Sequence, residues 1–90
     1  MMLIEASHIL VASLEQAQQL HSQINEGSDF ATLAQQHSTC PSRSAGGNLG
    51  QFGRGMMVKP FEDATFALEV GGLSQPVQTQ FGWPLIKRTA

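Results

Sequence analysis

Residues 3–11, LIEASHILV, alternate in part between apolar and polar positions and are rich in branched side chains. That pattern predicts a strand. Ile4, Ala6, His8 and Leu10 share one face; Leu3, Glu5, Ser7, Ile9 and Val11 share the other. The period then changes to that of a helix, with Leu14, Ala17, Leu20, His21 and Ile24 on one stripe. Ser13 and Gln16 have the form of a capping box at its start, and Gly27 is a natural stop. Ser28 or Asp29 caps a second helix carrying Phe30, Leu33, Ala34 and His37 on one face, and Pro41 closes it.

Residues 41–57 are broken by Pro41, Gly46, Gly47, Gly50, Gly53 and Gly55, with a short strand expected at Asn48 to Phe52. Pro60 suits the first turn of a third helix, PFEDATFAL, striped by Phe61, Ala64, Thr65 and Leu68. Gly71 and Gly72 end it. Ser74 to Thr79 and Phe81 to Arg88 read as two further strands. The order β-α-α-β-α-β-β suggests a sheet of about four strands covered by helices, an α+β architecture.

Ninety residues with 41% hydrophobic content, five Phe and one Trp suffice for one domain, residues 1–90, with a real core. The net charge of −2 argues against a nucleic-acid binder that works through its overall field. The charge is skewed. No Lys or Arg precedes Arg43, while Glu5, Glu15, Glu26 and Asp29 do. One cysteine excludes an internal disulfide and a Cys-based zinc site, and fits a reducing compartment. No apolar run is long enough to span a membrane, and the apolar stretch Met1 to Ile4 is too short for a signal peptide and lacks a basic n-region. The expectation is a soluble, cytoplasmic chain.

The glycine cluster contains neither G-x-G-x-x-G nor G-x-x-x-x-G-K-[ST], so positive-φ loop geometry explains it better than phosphate binding. His8, His21 and His37 show no paired ligand spacing; a metal is not expected, nor any cofactor. Cys40 lies in a polar loop beside Pro41 with no adjacent acid, and no second cysteine exists to resolve a redox reaction. Leu49, Phe52, Met56, Met57 and Phe61 surround the glycine turns, and suit either plain core or an adaptable apolar pocket.

Five blocks together carry a resemblance. They are Ala6-Ser7-His8-Ile9-Leu10-Val11, Phe30 through Cys40, Gly46-Gly47-Asn48-Leu49-Gly50, Gly55 through Phe61 and Thr79-Gln80-Phe81-Gly82-Trp83. In this order and at these intervals the chain resembles the parvulin-type peptidyl-prolyl cis/trans isomerases over nearly its whole length, in their free-standing prokaryotic form. The resemblance implies a four-stranded antiparallel sheet flanked by about four helices, β-α-α-α-β-α-β-β. It also implies an apolar grip on a substrate proline ring by Leu49, Met57 and Phe61. His8 and Cys40 would lie beside the isomerising bond, and Thr79 and Phe81 would complete that wall. Proline-containing polypeptides would be the partners of a monomer, with no nucleic acid and no membrane.

One departure stands out. Counted along FGWP, the place of the family's second histidine is taken by Pro84, which has no N–H for a ladder. His8 is then expected to orient hydroxyls such as Thr79 instead. The same departure keeps open an alternative, a peptide-binding or chaperone-like domain with weak or absent isomerase activity. Phosphate-selective parvulins carry a basic loop after the first strand; here that loop is Ala12-Ser13-Leu14-Glu15. Unphosphorylated Xaa-Pro segments are therefore the expected substrates, with Arg43, Arg54 and Lys59 the only cations that could lie near the pocket.

Overall fold

The computed structural model describes residues 2–90; Met1 of the apolar N-terminal stretch lies outside them. Strand β1 (Ile4–Val11) is followed by helices α1 (Leu14–Asn25) and α2 (Phe30–His37), and then by a 3-10 segment, Pro41–Ala45. Strand β2 (Asn48–Phe52), helix α3 (Lys59–Phe66) and strand β3 (Trp83–Arg88) complete the order. β1 is the central strand of a three-stranded sheet, β2-β1-β3, antiparallel to both neighbours.

The local chemistry explains the boundaries. Ser13 Oγ accepts from Gln16 N at 3.2 Å and starts α1. Of the two cap candidates for α2 it is Asp29 that serves, its carboxylate accepting from Thr32 N at 3.0 Å and Thr32 Oγ1 at 2.8 Å. Those bonds hold its pKa below the ordinary carboxylate value. Pro60 sits in the first turn of α3, where its missing N–H costs nothing.

Both faces of β1 pack against other elements over part of their length. Ile9 and Val11 pack with Leu85 against Ala17 and Leu20 of α1 and Phe30, Leu33 and Ala34 of α2. On the opposite face Ile4 and Ala6 pack with Phe52, Phe61 and Ile86. Each such branched or aromatic side chain contributes about 1.5–3 kcal/mol on burial. His37 departs from its expected place: it is exposed, and the buried position falls one residue later, on Ser38. His37 is the last helical residue, and the backbone turns extended at Ser38.

Two expectations about the sheet and the helices are corrected. The element before β2 is a 3-10 segment capped by Cys40 and started by Pro41, not a further α-helix. Residues 74–79 run beside β3 without forming a strand. Ser74 N donates to Ile86 O, Val77 N to Pro84 O, and Leu73 and Thr79 make only isolated bridges. Pro76 supplies no N–H, and Ile86 N is taken by the Ser74 side chain at 3.0 Å rather than by a backbone carbonyl. A ladder interrupted twice in four residues is a strap.

That strap also explains how a strand tolerates Pro84. Pro84 sits opposite Leu10 in the β1–β3 register, but its carbonyl points at Val77, away from β1. In an antiparallel strand the N and C=O of one residue point to the same side. The nitrogen of Pro84 therefore faces the strap, and no β1–β3 hydrogen bond is lost.

Candidate active site

The even-numbered face of β1 changes character along its length. Ile4 and Ala6 are covered by α3, whereas His8 and Leu10 face an open cavity of about 520 Å³. Thr39, Cys40 and Pro41 form one side, and Leu49, Met56, Met57, Val58 and Phe61 another. Thr79, Phe81 and Pro84 close the third. The seven residues singled out from the sequence, His8, Cys40, Leu49, Met57, Phe61, Thr79 and Phe81, all lie on this one cavity. Leu10, Thr39, Pro41, Met56, Val58 and Pro84 join them.

Each wall has its own support. Leu49 is delivered by a bulge. Between the pairs Glu5–Gln51 and Ser7–Asn48, β2 spends one residue more than β1, and Gly50 takes a φ of 74° to absorb it. Cys40 is placed by Ser38, whose buried hydroxyl accepts from Leu10 N at 3.0 Å and Cys40 N at 3.3 Å. Thr39 N donates to Leu10 O at 2.8 Å, so residues 38–40 are tied directly to β1.

The methionine loop is held from α3. Glu62 is buried, and its carboxylate accepts from Gly55 N at 2.5 Å and Arg54 Nη1 at 3.2 Å. Such charge-assisted bonds are worth about 1.5–3 kcal/mol each. Met56 Sδ accepts from Gly53 N at 3.2 Å, which folds the loop tip back towards the cavity. The turn at 79–82 presents Phe81, 65% exposed, at the mouth.

His8 is the polar centre of the floor. Its backbone N donates to Gly47 O at 2.9 Å, and its ring meets the Phe61 ring edge-on, centroids 5.5 Å apart at 79°. Only 8% of the residue is exposed, and neither ring nitrogen has a protein partner among the described residues. Burial pushes its pKa below the ordinary imidazole value of 6.5, so the ring is neutral at pH 7.

The expected link from His8 to Thr79 is absent. Thr79 Oγ1 donates to Gly82 O at 3.1 Å and accepts from Phe81 N at 3.1 Å, so the turn uses the hydroxyl. Among the described residues, no Lys or Arg lines the cavity itself. Arg54 pairs with Glu62 and Asp63 and lies over the Phe66 ring, and Lys59 pairs with Asp63.

The depressed His8 pKa has a measurable consequence. Unfolding restores the ordinary value of 6.5, so below that pH the unfolded chain takes up a proton that the folded chain resists. Stability is expected to fall as pH drops below 6.5, levelling once the folded-state pKa is passed. In His8→Phe this loss should vanish from chemical denaturation curves taken between pH 7 and 5. An unchanged pH slope in the variant would show that another group is responsible.

Among the described residues, no group of three His, Cys, Asp or Glu is arranged to hold a metal, and no helix is long and apolar enough to cross a membrane.

Comparison with known proteins agrees with this fold. The sequence profile of the PPIC-type PPIASE (rotamase) domain matches residues 8–90. The foldase protein PrsA 4 of Bacillus cereus is 51% identical over 87 residues, covering 96% of this chain and 31% of that protein. The peptidyl-prolyl cis-trans isomerase Pin1 of Digitalis lanata is 49% identical over 78 residues, covering 86% of this chain and 66% of its own length. The chain thus spans about a third of the PrsA-type relatives it matches. Among solved structures, the parvulin NmPin of Nitrosopumilus maritimus superimposes with a TM-score of 0.88 at 44% identity, covering 98% of this chain and 96% of that one. With an α+β fold and a profile match over all but its first seven residues, the chain belongs to the PPIC-type peptidyl-prolyl isomerase family, the parvulins.

Proposed function

We propose that this chain accelerates cis/trans rotation about Xaa-Pro bonds in unfolded or flexible polypeptides, without covalent chemistry and without a requirement for phosphate. The observation that carries the proposal is the cavity itself: a largely apolar cup with one neutral imidazole on its floor and no cation on its walls.

The barrier to amide rotation is ~18–20 kcal/mol because resonance stiffens the C–N bond. Bringing a rotation of roughly 100 s to roughly 1 ms requires the removal of about 7 kcal/mol. The twisted amide has lost resonance and carries less charge on oxygen than the planar one. A dry cavity therefore disfavours the planar ground state more than the twisted state, and a fixed proline ring turns binding energy into orientation. Leu49, Met57 and Phe61 supply the grip. His8 and Cys40 stand beside the rotating bond, and Thr79 and Phe81 shape the wall. Cys40 tunes local polarity and is not a nucleophile in this scheme. A reducing, cytoplasmic setting suits a single thiol at the pocket.

A phosphoserine-proline segment would find no cation on the cavity walls: Arg43 is not among the lining residues, Arg54 and Lys59 are paired with carboxylates, and the segment Ala12–Glu15 contributes none. In a protease-coupled assay an Ala-Pro peptide is expected to turn over at least as fast as its phosphoserine-proline counterpart. Much faster turnover of the phosphorylated peptide would overturn this part of the reading. The second reading, a binding module, is favoured by Pro84 in place of a second imidazole. It makes the opposite forecast in the same assay: peptide binding with no rate enhancement.

A further inference from the structure

The wall that carries Met56 and Met57 has little backbone structure of its own. Among the described residues, positions 53–57 make one backbone–backbone hydrogen bond, Met56 N to Gly53 O at 3.4 Å, longer than the usual range. Gly55 takes a φ of 89°, and nothing stands within 4 Å of where a Cβ would be, so packing does not hold the tip on that side. The tie comes from α3. Glu62 follows Phe61, whose ring forms the neighbouring cavity wall, and it is only 7% exposed. Its two oxygens divide the tip between them: Oε1 accepts from Gly55 N at 2.5 Å, and Oε2 from Arg54 Nη1 at 3.2 Å. The Arg54 guanidinium also lies 4.3 Å over the ring of Phe66, one turn further along α3. Glu62 itself is not among the residues that line the cavity, so it acts there through the loop or not at all.

We propose that Glu62 is a positioning residue for the substrate: by holding the Arg54–Gly55 tip it fixes Met57, two residues on, against the proline ring, and so sets the affinity of the pocket rather than the rate of rotation. This rests on the proline-pocket reading. The ring is gripped in the planar and in the twisted state alike. A looser grip weakens both states equally and shows in KM, with kcat unchanged. A purely structural role has the reverse signature. A smaller folded fraction lowers the apparent kcat and leaves the KM of the folded molecules as it was.

The test titrates an Ala-Pro peptide into the whole chain, with Kd read from NMR shifts and kcat and KM from the isomerisation rate. Glu62→Leu keeps the volume but offers no acceptor. It is expected to raise Kd and KM about tenfold and to change kcat by less than about twofold. Glu62→Gln retains an oxygen for Gly55 N and should stay within about threefold of the wild type. Asp63→Asn removes an exposed carboxylate 3.9 Å from Arg54 and should bind as the wild type does. Where Glu62→Leu does not fold, Glu62→Asp decides. It keeps the charge, is one methylene too short to reach Gly55 N, and should raise Kd about fivefold. An unchanged Kd in the Leu or Asp variant, a fall in kcat with KM unchanged, a Gln variant as weak as the Leu variant, or an equal loss in Asp63→Asn would overturn the proposal while leaving the pocket intact. Binding by the wild type without rotation would overturn the catalytic reading alone, and the Kd series would still decide the role of Glu62. Failure of the peptide to shift any cavity residue of the wild type would overturn the pocket reading, and the proposal with it.

Discussion

Phe61→Ala is expected to remove both the grip and much of the stability. Phe61 is 5% exposed and joins two structures at once. It packs with Ile4, Ala6, Phe52 and Ile86 in the core beneath α3, and it forms the cavity wall against His8. Truncating a buried Phe costs about 3–5 kcal/mol. A chain of this length has a total stability of roughly 5–13 kcal/mol, so the variant should sit near the edge of folding. Thermal unfolding would show a large drop in Tm, and activity should be lost even where the variant remains folded. Met57→Ala separates the two effects. Met57 is only half-buried and packs against the edge of the same core cluster. It should lower peptide affinity several-fold and, being half-buried, cost about half of the ~1.5–3 kcal/mol that full burial of such a side chain is worth. If Phe61→Ala kept both its Tm and its isomerase rate, neither the core nor the grip would depend on that ring.

The second large effect is expected at Gly47. Its φ is 87°, a conformation that costs an L side chain about 1–2 kcal/mol. The space is closed as well. A Cβ there would collide with the carbonyl oxygen of His8 and crowd the Cβ of Ala34 at 3.3 Å. The colliding oxygen is backbone on the central strand, with no flexible side chain to move aside. Gly47→Ala should therefore break the Gly47 O to His8 N bond, displace β1 at His8, and destabilise the fold by more than about 3 kcal/mol. Gly50→Ala is the useful contrast. It also has a positive φ, 74°, but meets nothing within 4 Å. Its cost should stay near 1–2 kcal/mol. Denaturant midpoints of the two variants check this; equal midpoints would refute the close-approach explanation.

The contrast between these two glycines shows where the sequence is informative. The punctuation in residues 41–57 announces irregular backbone, but which glycine touches another strand depends on a contact made 39 residues away. The same holds for the site. The alternation in LIEASHILV already puts His8 and Leu10 on the face of Ile4 and Ala6, so the floor of the cavity is legible from β1. The roles of Ser38 and Glu62 are not. Ser38 looks like one of several loop hydroxyls, and Glu62 like a solvated charge on a helix. Only the tertiary fold buries them and gives them backbone N–H groups to hold. The helical stripe is expected to end on His37, but the last turn of α2 leaves His37 exposed and the chain buries Ser38, where the backbone turns extended. The expected strand 74–79 failed for a related reason. Its composition suits an extended chain, and it is extended, but Pro76 and the Ser74 side chain take over bonds that a ladder would need. The skew of charge takes on a more specific meaning. Of the five cations of the second half, Arg54 and Lys59 are paired with carboxylates around α3, and none of the five is among the residues that line the cavity.

The central claim, that this neutral cup turns binding of an Xaa-Pro segment into rotation, is tested most directly by two-dimensional NMR exchange spectroscopy on an Ala-Pro peptide with a catalytic amount of the chain. Without enzyme the isomers interconvert over tens to hundreds of seconds and give no exchange cross-peaks. With the wild type, cross-peaks between the cis and trans signals are expected, weakened in Met57→Ala. Shifts at His8, Leu49 and Phe61 that report binding, with no exchange cross-peaks at any peptide concentration, would contradict the account and assign the chain as a binding module.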